Sequence, residues 1–263
     1  MTNKTERQRA HFNTIANKYF IARRHKNHLL LKSLMWSDFL GDQKLLKRDG
    51  LQVLEAMCGY ADGKNILEDT LNIRIEYSGF DYSDEVVKRL KNEDPSLNIF
   101  HADAGTVDLK KSYDLVVLLG GLHHVPYMAT DVVKRMVGAI KKGGFFLSLE
   151  PTSGNWLFRK IRERIYDRNS LFDKETEKAF DVNNLINMFE SAGLEKVDVA
   201  HPGLLSYILY YNPDAFPALN IGGERCVRAA FWFDKMFFRN RIGKALSFAT
   251  LSLWRKPRLH RQG

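Results

Sequence analysis

Along the middle of the chain, short runs that are apolar on both faces alternate with stretches whose apolar residues recur at helical spacing. The runs are LQVLEAM (51–57), IEYSGFD (75–81), LNIFHAD (97–103), YDLVVLLG (113–120) and GGFFLSLE (143–150), most of them bounded by glycine or other turn residues. Between them lie stretches such as SDEVVKRLK and ATDVVKRMVGAIKK, which read as helices. Strands without a polar face, separated by helices, predict a parallel sheet covered on both sides, a doubly wound α/β fold.

The flanks read differently. Residues 1–48 carry Phe12, Ile15, Ala16, Tyr19 and Phe20 at helical spacing, which predicts a helical cap on the sheet's edge or mouth. Past Glu150, VNNLINMFESAGL (182–194) predicts a helix stopped by Gly193, followed by a short strand, EKVDVA (195–200), and a last strand in LSFATLSLWRK. Residues 201–245 then form an excursion between the final two strands. The expected organisation is a cap (1–48), a core (49–200), an acceptor-side insertion (201–245), and a final strand with a basic tail (246–263).

Charge refines this picture. The net charge is +9, but residues 1–32 hold eight Lys/Arg against one Glu and residues 220–263 hold ten against two, leaving the middle at −6. Basic ends of this kind meet nucleic acid, an anionic membrane surface, or water. No run of about 18 uncharged apolar residues occurs, so no membrane span is expected. The N-terminus has charge but no apolar segment of the secretory type, and Cys58 and Cys226 lack the spacing of a zinc site or a disulfide framework. No metal is expected, and the compartment expected is the cytoplasm, with peripheral contact to the inner face of a membrane as an option.

Candidate chemistry gathers where strands end. In an open parallel sheet ligands bind beyond the carboxyl ends of the strands. Glu55 closes the first strand and Gly59 lets the chain turn without a Cβ. Asp81 closes the second strand, where a carboxylate suits the two hydroxyls of a ribose; it would also serve simply to cap the next helix, as would Ser83. Asp103 follows the third strand and suits an exocyclic amine. A dinucleotide is disfavoured, because the G-x-G-x-x-G pattern is absent and Asp62, just past the turn, repels phosphate.

The ordered set VLEAMCGYA, GFDYSDEVVKRL, HADAG, YDLVVLLGGLHHVP and AIKKGGFFLSLEPT resembles class I S-adenosylmethionine-dependent methyltransferases, in particular the small-molecule group with ubiquinone-type and sugar methyltransferases. The resemblance covers residues 10–150. It implies a mostly parallel seven-stranded Rossmann-like sheet with an N-terminal helical lid, and S-adenosylmethionine as cofactor. By the resemblance, Glu55 and Gly59 would line the methionine portion, with Ala56 and Cys58 of the same turn also at the cofactor. Asp81 would hold the ribose, Tyr82 would pack on the adenine, and Asp103 and Ala104 would meet the adenine edge. Gly120 would contribute backbone near the methionine, and Tyr19 would close over the cofactor. The family writes the turn E-x-G-x-G-x-G, whereas this chain has Met57 and Ala61 at the outer glycine positions. A catalytically silent cofactor-binding scaffold at a membrane is therefore kept as an alternative.

Methyl transfer to a hydroxyl or amine needs a proton acceptor. His123 and His124 follow the fourth strand, and either serves as base or merely packs. Glu150 ends the fifth strand, beside the fourth in the family's sheet order, and would orient His123. The acceptor expected is a small or lipid-linked molecule, methylated at oxygen. The excursion and the N-terminal helices are expected to form its pocket. RAAFWFDKMFFRNRIGK sets aromatics among cations, with Arg228, Lys235 and Arg239 spaced to share one helical face. Residues 225–245 thus read as a lid over the acceptor or as a peripheral membrane contact. An RNA methyltransferase is the remaining alternative, disfavoured because no recognisable RNA-binding motif accompanies the charge.

Overall fold

The computed structural model describes residues 6, 7, 10, 21, 23–168, 178–213 and 216–258. Tyr19 and the rest of residues 11–20 lie outside these. The elements in chain order are α1 (Lys26–Leu40), β1 (Leu51–Ala56), α2 (Asp62–Leu71), β2 (Ile75–Asp81), α3 (Asp84–Glu93), β3 (Asn98–His101) and β4 (Tyr113–Leu119). They continue with α4 (Ala129–Gly138), β5 (Ile140–Ser153), α5 (Trp156–Arg168), β6 (Phe180–Asp181), α6 (Val182–Ser191), β7 (Glu195–Ala200), α7 (Leu205–Tyr210), α8 (Glu224–Lys235), α9 (Arg241–Leu246) and β8 (Ala249–Arg255).

The sheet runs β3-β2-β1-β4-β5-β8-β7, and the two-residue β6 pairs with β5 off this path. Pairs β1–β2, β1–β4, β2–β3 and β4–β5 are parallel. β8 runs antiparallel to β5, with Gly143 N bonded to Lys256 O at one end and Thr152 N to Phe248 O at the other. This is the doubly wound α/β sheet expected from the sequence, with strand order reversing between β1 and β4.

The chain divides into two compact units. The second comprises Lys44–Glu150, Asn183–Val199 and Leu251–Gly263. Its core is the central strands, where Val53, Leu54, Leu115, Val116, Val117, Phe146 and Leu147 are fully buried. Phe189 of α6 packs edge-on to Phe146 and stacks on Trp254 of β8, with centroids 5.1 Å apart in both pairs. α3 begins at Ser83, whose hydroxyl accepts from Val86 N, and carries Asp84 and Glu85 in its first turn, where the helix dipole favours anions.

α2 begins without any capping side chain of its own. The carboxylate of Glu55, at the end of β1, does that work from another element: both its oxygens accept from Gly63 N, at 3.0 and 3.1 Å. Tyr77 reaches along β2 to donate its hydroxyl to Glu55 Oε2 at 2.6 Å. Two glycines make room. A Cβ on Gly63 would lie 2.8 Å from the Glu55 carboxylate, and one on Gly79 would lie 2.8 Å from the Tyr77 hydroxyl.

The first unit comprises Met1–Gln43, Pro151–Val182 and Ala200–Thr250, so residues 151–182 group with the flanks and not with the sheet's main body. α5 packs here through Phe158, whose ring lies 5.0 Å from that of Phe248, and through Arg162, which donates to Thr152 O and Phe248 O. α1 packs against α7 and α8. In the aromatic segment Phe231 and Phe238 are buried, while Trp232, Phe233 and Met236 are exposed. The three cations expected to share a face are each paired: Arg228 with Glu224, and Lys235 and Arg239 with Asp38. Among the described residues no helix is long and apolar enough to cross a membrane.

Removing the hydroxyl that Tyr77 gives to Glu55 leaves a buried carboxylate short of a donor. Tyr77→Phe is therefore expected to lower unfolding stability by about 1–3 kcal/mol in a denaturant titration. A change within error would show that Glu55 is satisfied without it.

Candidate active site

Five strands of the second unit, β1 to β5, bring the candidate residues together. The turn after β1 holds Met57, Gly59 and Ala61 at φ of 52°, 51° and 58°, so all three sit in the left-handed region. A side chain there costs roughly 1–2 kcal/mol per residue. Met57 and Ala61 thus adopt a backbone conformation that suits glycine while bearing that strain. The Met57 side chain lies against Gly121, its Sδ 3.0 Å from where a Gly121 Cβ would stand. At Gly59 an added Cβ would meet nothing within 4 Å, so this turn borders open space.

Asp81 is buried and holds two turns at once. Its Oδ2 accepts from Gly59 N at 3.0 Å and its Oδ1 from Ser83 N at 2.9 Å. Burial pushes its carboxyl above the ordinary range, opposed by these backbone N–H groups. Cys58 is buried with its N–H on Phe80 O, and burial, with the charges of Asp81 and Glu55, pushes its thiol up, so it is no thiolate nucleophile. Ala56 is fully buried in β1 and Ala104 is buried after β3. Asp103 Oδ1 accepts from Gly105 N at 2.7 Å, and the Tyr82 carbonyl lies 2.8 Å from His101 Nε2.

Beyond β4, Gly120 turns at φ 68° and the chain enters a short 3₁₀ turn, Leu122–His124. Glu150, fully buried in the neighbouring β5, organises that turn; the strand runs three residues past it to Ser153 and does not stop at Glu150 as expected from the sequence. Its Oε1 accepts from Gly121 N and Leu122 N at 3.0 and 2.9 Å, and its Oε2 accepts from His123 N at 3.3 Å. His123 Nδ1 lies 3.1 Å from the same Oε2. Desolvation pushes Glu150 up to about 7, against the pull of these N–H groups and of His124. The rings of His123 and His124 lie 4.0 Å apart. Among the described residues no cluster of three or more His, Cys, Asp or Glu could hold a metal.

A family model described as a methyltransferase domain matches residues 54–146, spanning all of these strand ends but Glu150. The chain is also similar to demethylmenaquinone methyltransferases of Bacillus cereus and Bacillus cytotoxicus. The first is 27% identical over 58% of this chain and 73% of its own length, and the second 29% identical over the same shares. Residues 54–146 form a methyltransferase domain of the class I, S-adenosylmethionine-dependent kind. Solved structures agree at the level of fold. A Haemonchus contortus phosphoethanolamine N-methyltransferase with bound S-adenosylhomocysteine superposes with TM-score 0.57 at 15% identity, covering 85% of this chain and 53% of its own. An O-methyltransferase family protein of Burkholderia thailandensis superposes with TM-score 0.55 at 12% identity, covering 87% and 57%.

The residues of this methyltransferase fit its cofactor. Open space beside Gly59 admits a ligand to the backbone. A carboxylate has about four acceptor positions, so Asp81 keeps capacity for ribose hydroxyls after binding two turns. Glu55, by contrast, is engaged by Gly63 of α2 and by Tyr77, and these bonds fix the turn. Sequence reasoning did not find Tyr77, Gly63 or Gly79. The signal was present: an aromatic and a glycine two apart on one face of a strand leave space for the ring to cross.

Asp81→Ala should weaken S-adenosylhomocysteine binding by about 1.5–3 kcal/mol, the scale of hydrogen bonds to a charged group. Unchanged affinity by titration calorimetry would remove Asp81 from the cofactor site.

Glu150 also makes a pH prediction. Its folded value of about 7 lies above the ordinary 4.5, so between these values the folded protein holds a proton that the unfolded chain releases. The group therefore favours folding most at acidic pH, and its contribution falls as pH rises from about 4.5 to about 7. Glu150→Gln should flatten that part of the stability curve relative to the parent. It should also lower stability throughout by about 1–3 kcal/mol, because an amide NH₂ then faces backbone donors. Parallel curves for the two proteins would show that Glu150 does not titrate in this range.

Proposed function

We propose that the methyltransferase methylates a hydroxyl of a small-molecule or lipid-linked acceptor, with His123 as general base and Glu150 as the residue that orients it. The observation that carries this reading is the 3.1 Å approach of His123 Nδ1 to Glu150 Oε2. A carboxylate that already accepts three backbone N–H groups acts as an acceptor toward the ring as well. The Nδ1 proton then points at Glu150, and the imidazole lone pair sits on Nε2.

Bound S-adenosylmethionine supplies an electrophilic methyl group on a positively charged sulfur. His123 Nε2 takes the proton from the acceptor hydroxyl as its oxygen becomes nucleophilic, and Glu150 stabilises the imidazolium that results. A Cβ at Gly120 would lie 3.7 Å from His123 Cε1, an ordinary contact, so glycine is called for there by its φ of 68° and not by the ring. Burial of Glu150 keeps water from competing for the pair. The relatives named for demethylmenaquinone support a small organic acceptor over a nucleic acid.

If His123 is the base, His123→Ala lowers turnover on a responsive hydroxylated acceptor by about 10²–10⁴-fold and leaves S-adenosylhomocysteine affinity nearly intact. Full activity in this variant transfers the role to His124 or shows that the acceptor needs no base.

A further inference from the structure

The two units differ sharply in surface chemistry. The first holds 21 Lys/Arg against 12 Asp/Glu and the second 19 against 19, so the whole net charge of +9 sits on the first unit. Among the described residues, every exposed large apolar side chain except Leu45 and Tyr127 also belongs to the first unit.

Within that unit α5 is built in two halves. Phe158 and Arg162 turn inward onto Phe248. On the other side Trp156, Leu157, Lys160, Ile161 and Arg164 are exposed, Trp156 by 62%, with Arg159 and Glu163 exposed on the flank beyond Trp156. At 100° per residue the first five fall within an arc of about 140°, so apolar and cationic side chains share one outward face. Lys160 Nζ sits 5.3 Å from the Trp156 ring centroid, keeping its charge beside the aromatic. α5 begins against α9, with Asn155 Nδ2 donating to Ala245 O at 2.6 Å, and α9 exposes Ile242, Leu246 and Arg241.

We infer that α5, with the adjoining α9, docks the protein on an anionic lipid bilayer. An apolar face interleaved with Lys and Arg matches the boundary between acyl chains and acidic headgroups, where Trp and Leu enter and the cations stay among phosphates. A second copy is a poor occupant, because it would bring one +9 unit against another. Nucleic acid would satisfy the cations and leave Trp156, Leu157 and Ile161 facing phosphate. The surface differs from the segment 225–245 singled out in the sequence, whose Arg228, Lys235 and Arg239 are paired within the unit. The inference does not rest on the proposed base or acceptor, since none of the residues assigned to methyl transfer lies on α5 or α9.

The test is co-sedimentation of the full chain with phosphatidylcholine vesicles made with and without phosphatidylglycerol. Pelleting is expected only with phosphatidylglycerol and should weaken as salt rises. Trp156→Ser with Leu157→Ser should reduce partitioning by at least about tenfold. Lys160→Gln and Arg164→Gln should each reduce it by about fivefold. Unchanged S-adenosylhomocysteine affinity in each variant certifies that the fold is intact, and it also separates this outcome from any failure of the His123 experiment. Absence of pelleting with phosphatidylglycerol at low salt overturns the inference, as does parental binding by the Trp156/Leu157 variant. Retention of RNA without vesicle binding, or self-association without it, overturns it as well.

Discussion

The site depends on one arrangement repeated at successive strand ends: a carboxylate held at the end of a strand that accepts backbone N–H groups from a turn. Glu55 binds Gly63 N, Asp81 binds Gly59 N and Ser83 N, and Glu150 binds Gly121 N, Leu122 N and His123 N. Asp103 does the same for Gly105 after β3. Burying a carboxylate is costly unless its oxygens are matched by donors, and a tight turn is a dense local supply of them. The carboxylates therefore fix the turns, and the turns make the carboxylates tolerable. Asp81 links the β1 turn to the head of α3 by one hydrogen bond to each.

The strain in the β1 turn follows from the same logic. Left-handed Met57 and Ala61 are unfavourable by themselves, and a free loop would relax them. Here the chain is held before the turn by β1, paired on both sides, and after it by Gly63 on Glu55. Gly59 in the middle is tied to Asp81. With both ends and the centre fixed, the backbone follows the path that glycine would take, and Met57 directs its side chain over Gly121. The turn thus carries Met57 and Ala61 in conformations that suit glycine.

Much of this was legible in the sequence, because it follows from strand order. Once five apolar runs are read as parallel strands, their last residues must share one edge, and the resemblance adds that β4 and β5 are neighbours. That is how Glu55, Asp81, Asp103 and Glu150 could be named, and how Glu150 could be set beside His123. What the sequence hid were contacts that depend on side-chain reach. Tyr77 crosses over Gly79 to meet Glu55, and a strand pattern shows only that both residues share a face. Likewise, Arg228, Lys235 and Arg239 share a helical face by spacing, but Asp38 arrives from α1, nearly two hundred residues earlier in the chain.

The partition of residues 151–182 was hidden for a related reason. α5 follows directly from the strand that carries Glu150, so continuity along the chain suggests that it belongs to the core. Its inward face settles the matter differently: Phe158 and Arg162 are matched by Phe248, the carbonyl of Thr152 and the carbonyl of Phe248, all within the first unit. An arginine this deeply buried needs fixed acceptors, and main-chain carbonyls of an adjoining strand end and loop provide them. Among the described residues, Phe158 and Arg162 hold the helix on its inner side, and Asn155 holds its start. Its exposed positions are free of packing duty within the unit, and that freedom is what lets Trp156, Leu157, Lys160, Ile161 and Arg164 form an outward surface.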